Sequence, residues 1–152
     1  FALIASGIAV ASLLNARLVE KLGSRLISHA ALLAFIGCGA VHLIVAATGH
    51  ETIWTFGILQ GLTMFFFGLI AGNFGAMAME PMGRIAGTAS SAQGFIQTVI
   101  GSLAGFYIGQ QFNGTVVPMA MGITVCGLLA LGMVLFAERG RLFTSRGVEV
   151  VA

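Results

Sequence analysis

The chain has 152 residues, 58% of them hydrophobic and 8% charged, with a formal net charge of +2. A soluble domain carries roughly a quarter charged residues, so this composition excludes one and points to an all-α polytopic membrane bundle. The seven Lys and Arg residues form no basic cluster interleaved with aromatics, so nucleic acid is not an expected partner.

In chain order, Phe1 to Leu14 is an apolar run shorter than the roughly 20 residues a crossing needs. It reads as the end of a span whose beginning lies upstream, since Phe1 is not a start methionine and no leader precedes it. Asn15 to Arg25 (NARLVEKLGSR) reads as a charged connection, followed by a second span over 26–47. Thr48 to Thr52 is a short polar turn, and 53–79 is a third span rich in Phe and Gly. Glu80 to Arg84 (EPMGR) turns the chain, with Pro81 and Gly83 ending and restarting helices. A fourth span over 85–112, a tight turn at Asn113-Gly114 and a fifth span over 116–137 follow. The expected organisation is therefore a transmembrane bundle over 1–137 and a polar, initially basic tail over 138–152. Cys38 and Cys126 lie in separate apolar runs without metal-ligand spacing and read as small buried hydrophobes; no metal or cofactor is expected.

All the Lys and Arg residues fall in Asn15–Arg25, Glu80–Arg84 or the tail, and none in the two alternate turns. By the positive-inside rule those three segments are cytoplasmic, and the C-terminus with them. On the fourth span, Gly83, Gly87, Gly94, Gly101, Gly105 and Gly109 fall within an arc of roughly 80° at about 100° per residue. Such a stripe lets other helices approach closely, which makes Gly87, Gly94, Gly101 and Gly105 expected packing positions. Ser90 and Gln97 sit on or beside the same arc.

Two segments carry a family resemblance. Ala16-x-x-x-Glu20-Lys21-x-Gly23-Ser24-Arg25 resembles, with substitutions, the G-x-x-x-D-R-x-G-R-R loop of the major facilitator superfamily. The departures are Ala for the first Gly, Glu for Asp and Ser for one Arg, and they suit the degenerate copy between helices 8 and 9. Physically, Gly23 permits a sharp reversal, Glu20 can meet the N-terminus of the next helix, and Lys21 and Arg25 hold the loop at the cytoplasmic face. The stretch Glu80-Pro81-Met82-Gly83-Arg84-Ile85-Ala86-Gly87-Thr88-Ala89-Ser90-Ser91 is similar to the junction of helices 10 and 11 in drug:proton antiporters of that superfamily. With Gly94, Gln97, Gly101 and Gly105 it is most like the bicyclomycin/chloramphenicol-resistance branch. On that alignment the five spans are helices 8 to 12, part of the C-terminal six-helix half of a twelve-span fold.

The resemblance implies a secondary active transporter of the bacterial inner membrane rather than an enzyme. It would export small, partly apolar compounds by alternating access, with the proton as coupling ion and the missing N-terminal half as partner. It also implies that helices 8, 10 and 11 line a cavity, which makes Gln60, Phe67, Asn73, Gln93 and Gln97 the substrate-cavity candidates. On the third span, Gly57, Gly61, Gly68, Gly72 and Gly75 cluster within about 60°, with Asn73 pointing away from them. Gln60, Met64, Phe67 and Ala71 flank that cluster, and Gln60 and Phe67 have the better claim to the cavity. Phe65 and Phe66 read as lipid contacts. The chain has no Asp, and its Glu residues all lie in turns or the tail, so a proton-coupling carboxylate is expected upstream. His42 reads as packing. Two alternatives remain open: an intramembrane serine protease using Ser90 or Ser91 with His29 or His42, and a channel or scaffold packed through its glycine stripes.

Overall fold

The computed structural model describes residues 2–140 and 142–143. It is all-helical: α1 (Ala2–Leu22), α2 (Ser24–Ala47), α3 (Ile53–Met79), a 3₁₀ turn (Glu80–Ile85), α4 (Ala86–Gln110) and α5 (Val117–Ala137). Three helical stretches are long and apolar enough to cross a membrane: Ser24–Ala47, Ile53–Gln110 and Val117–Ala137. The rest of the expected tail, Arg141 and 144–152, lies outside the described residues, as does Phe1.

The helix boundaries follow from local chemistry, with one correction. Asn15 to Leu22 is not a loop but the last two turns of α1. Its Arg, Leu, Glu and Lys residues are good helix formers and nothing breaks the helix before Gly23. The reversal into α2 is made at that glycine alone, at φ 76° and ψ 152°, where a side chain would be strained. Thr52 caps α3 in a reciprocal box: its hydroxyl accepts from the Thr55 N–H at 3.2 Å, and the Thr55 hydroxyl accepts from the Thr52 N–H at 2.7 Å. Asn113 shapes the last turn by accepting from the Thr115 N–H and hydroxyl at 3.2 and 2.6 Å. Pro118 follows in the first turn of α5, where its missing N–H costs nothing.

Helix α3 is central, with α1 and α2 packed against it and α5 packed on α2. A small core of Ala11, Ile27, Ala31 and Leu69 joins α1, α2 and α3. Phe65 and Phe66 pack partly against that core, so they are not the purely lipid-facing residues expected. Their neighbours on α3 turn a face of glycine to α1, and there the two backbones nearly touch. A methyl group built on Gly7 would stand 2.5 Å from the Gly61 carbonyl oxygen, and one on Gly68 3.0 Å from the Ala11 Cβ. Across α2 and α5 the close points are Gly39 against Thr124 and Gly127 against Ile36.

The fourth helix stands apart. No residue of α4 is buried. A methyl on Gly87, Gly94, Gly101, Gly105 or Gly109 would meet nothing within 4 Å. The close approaches expected of that stripe are therefore made by the glycines of α1, α2, α3 and α5. Helix α4 does meet α5 near its far end, where Ile108 fits against Gly122.

Candidate functional site

The polar side chains of the interior are Ser28, His29, His42, Gln60, Thr63 and Asn73. A buried polar group requires a partner, so the destinations of their hydrogen bonds define what each can do.

Asn73 is 1% exposed. Its amide nitrogen donates to the Asn15 side-chain oxygen at 2.6 Å and to the Leu69 carbonyl at 2.8 Å. It therefore reaches α1 from beyond the edge of the glycine face, about 100° round the helix from its neighbour Gly72, where a methyl would lie 3.8 Å from the same Asn15 side chain. The pairing depends on α1 continuing through Asn15. Asn73→Leu should leave the Asn15 amide without its partner and lower stability by about 1–3 kcal/mol. Thermal unfolding in detergent reads this, and an unchanged midpoint would show that the pair contributes nothing.

Gln60 is also buried, and its side-chain oxygen has no protein partner. It shares the α2-facing side of α3 with Phe56, whose ring lies 5.6 Å from that of His42, and with Phe67, whose ring lies 6.5 Å from that of Phe35. Phe67 keeps 46% of its surface exposed. Gln93 is half-buried and Gln97 exposed, both on α4. The structure thus does not gather the five cavity candidates into one pocket. A cavity of about 430 Å³ opens at the α1–α2 turn, between Gly23, Arg25, Met77, Glu80 and Phe143. Grooves of about 330 and 200 Å³ flank the Ile108–Gly122 contact of α4 and α5. None of these three is lined by Gln60, Phe67, Asn73, Gln93 or Gln97.

Each end of α2 carries a pairing that joins distant parts of the chain. At the α1–α2 turn, the Arg25 guanidinium donates to both oxygens of Glu138, each at 2.7 Å. One turn along α2, His29 Nδ1 accepts from the Phe143 backbone N–H at 3.1 Å. Of the loop signature, Gly23 makes the turn and Arg25 makes this ion pair, while Glu20 and Lys21 are exposed. At the opposite end, His42 Nε2 lies 3.1 Å from Glu51 Oε1. Glu51 belongs to a turn, as read from the sequence, but its carboxylate reaches back to a ring that is 1% exposed. His42 therefore packs against Phe56 and also holds a hydrogen-bonded acid.

The hydroxyls of Ser90 and Ser91 both donate to the Gly87 carbonyl, at 3.0 Å each, as serines in apolar helices commonly do. Among the described residues no group of three or more His, Cys, Asp or Glu is placed to hold a metal ion. Compared with known protein families, curated proteins and solved structures, the chain matches none. The functional reading therefore rests on its own residues.

Proposed function

We propose that the chain is the C-terminal part of a major-facilitator-type secondary transporter, exporting small, partly apolar compounds by alternating access. In this reading the two halves rock about a cavity at mid-membrane, the proton is the coupling ion, and the cation-bearing turns and C-terminus face the cytoplasm of a bacterial inner membrane.

The observation that carries the reading is α4. It is an apolar helix with two amides near its middle, Gln93 and Gln97, yet none of its residues is buried. Amides within an apolar span are costly against lipid and characteristically face a bundle interior or a water-filled cavity. The small-residue arc beside Gln97 leaves room there for a ligand. An amide also offers donors and an acceptor without a buried charge, which fits neutral or varied cargo. The Gly-Thr-Ala-Ser junction that opens α4, and the loop signature ending in Arg25, point to the same family. Gln60 and Asn73, both buried between helices, act in this reading as supports of the cavity wall, and Phe67 as its adaptable apolar surface.

Gln97→Ala in the full-length protein tests it. The expected result is normal membrane expression with resistance altered unevenly, by about tenfold for some compounds and little for others, the loss of one or two hydrogen bonds to cargo. Resistance that falls equally for every compound and tracks protein level would make Gln97 a packing residue.

A further inference from the structure

At the end of α2 that carries Arg25, the backbone N–H of Phe143, beyond α5, fastens to a histidine of the helix. His29 is 1% exposed and is enclosed by Phe74 of α3, with ring centroids 6.1 Å apart, and by Phe143, in an edge contact at 5.8 Å. The Phe143 N–H points at Nδ1. A nitrogen that accepts this bond carries no hydrogen, so the ring is the neutral tautomer protonated at Nε2. Nε2 is itself buried without a partner. A proton arriving at Nδ1 removes the one acceptor the ring has and sets two N–H groups against each other. The proton and the Phe143 backbone therefore compete for a single lone pair.

The fastened segment is also strained. Phe143 holds φ at 66°, a left-handed conformation that bulky residues adopt when contacts impose it. The φ of 51° at Arg139 is the separate closure of α5, where the Gly140 N–H donates to the Leu135 carbonyl at 2.7 Å. At Phe143 those contacts are the His29 bond and the ring edge. Phe143 is in addition one wall of the cavity of about 430 Å³ beside Gly23 and Arg25.

We propose that His29 Nδ1 is a proton-binding site whose occupancy unlatches Phe143 from α2 and widens that cavity. The charged groups around the ring do not substitute for the lost bond. Arg25, on the same helix, and Glu138, at the end of α5, are committed to each other. Helix α3 offers the ring Phe74 and places Glu80 at the far side of the cavity, while Glu20 and Lys21 of α1 are exposed. The sign follows from the competition: the latch is closed when the ring is neutral and opens as pH falls. The device is independent of whether the chain transports anything.

Hydrogen exchange of the Phe143 amide tests it, in the full chain in lipid nanodiscs, at about pH 8 and about pH 5, the range across which imidazoles ordinarily change charge. After correction for intrinsic exchange, protection at the higher pH should fall about tenfold at the lower, the loss of one hydrogen bond. His29→Asn places an amide oxygen near the position of Nδ1 that acid cannot empty, and should keep its protection at both. His29→Leu should show none at either. Equal protection of the wild type at both pH values would overturn the proposal, as would a fall that persists in His29→Asn or is shared by core amides such as that of Leu32. Should the variants fail to fold, the ¹⁵N signal of His29 in the wild type decides: a hydrogen on Nδ1 while the Phe143 amide is still protected excludes the competition.

Discussion

Gly7→Leu is expected to detach α1 from α3 and lower the yield of folded protein severalfold. The first carbon of the new side chain alone would stand 2.5 Å from the Gly61 carbonyl oxygen and 3.2 Å from the Phe65 nitrogen. Both are backbone atoms of a helix, which cannot swing aside as a side chain could. Overpacking of this kind costs about 1–3 kcal/mol even where neighbours adjust, and leucine adds further atoms at the same point. Gly101→Leu is the comparison. A methyl there meets nothing within 4 Å, so the fold should tolerate the change. Thermal unfolding and size-exclusion profiles of the two variants decide between the stripes. Equal losses at both positions would mean that α4 is as tightly packed as α1.

Breaking the Arg25–Glu138 pair should have the second large effect. The two side chains keep 26% and 17% of their surface exposed, and one guanidinium nitrogen reaches both carboxylate oxygens. Arg25→Ala leaves the carboxylate half-buried without its cation, at a cost of about 1–3 kcal/mol, below the range for a fully buried pair because water still screens it. Glu138→Ala should cost a similar amount, and the double variant should cost less than the two single losses added together. Strictly additive losses would show that the two side chains are not energetically coupled.

The overall helix plan was legible because it rests on composition and on turn chemistry. Pro81, Gly83, Asn113-Gly114 and Thr52 punctuate the chain by rules that act within a few residues. What escaped the sequence were relations between helices. Asn15 reads as loop because charge surrounds it, yet helix propensity carries α1 past it and delivers its amide to Asn73. Glu51 and Glu138 read only as acids in a turn and in the tail; nothing in the spacing ties Glu51 to His42 nine residues before it, or Glu138 to Arg25 near the other end of the chain. The glycines mislead in a more general way. Those of α3 and α4 form stripes of equal quality, and a stripe states that a neighbour can come close without saying which helix has one. Of the cavity candidates, periodicity puts Gln60 and Phe67 on one flank of α3, but could not tell that Phe67 meets Phe35 of α2.

The position of α4 has a mechanical consequence. Between α3 and α4 the chain reverses direction, and the departure from helical geometry is concentrated at Gly83, with φ 37° and ψ −109°. Beyond it α4 extends about 37 Å at 1.5 Å per residue. It is a beam on two supports, pinned at Gly83 and resting on Gly122 through Ile108, with Gln93 and Gln97 along the unsupported length. A bend of about ten degrees at the pin would carry the far end some 6 Å sideways, roughly one helical turn's pitch. Small adjustments of a single backbone pair are thereby magnified into displacements as large as a side chain. Because Ile108 rests on Gly122 and a short turn ties the far end to α5, such a swing would carry the start of α5 with it, while the glutamines travel about half that distance.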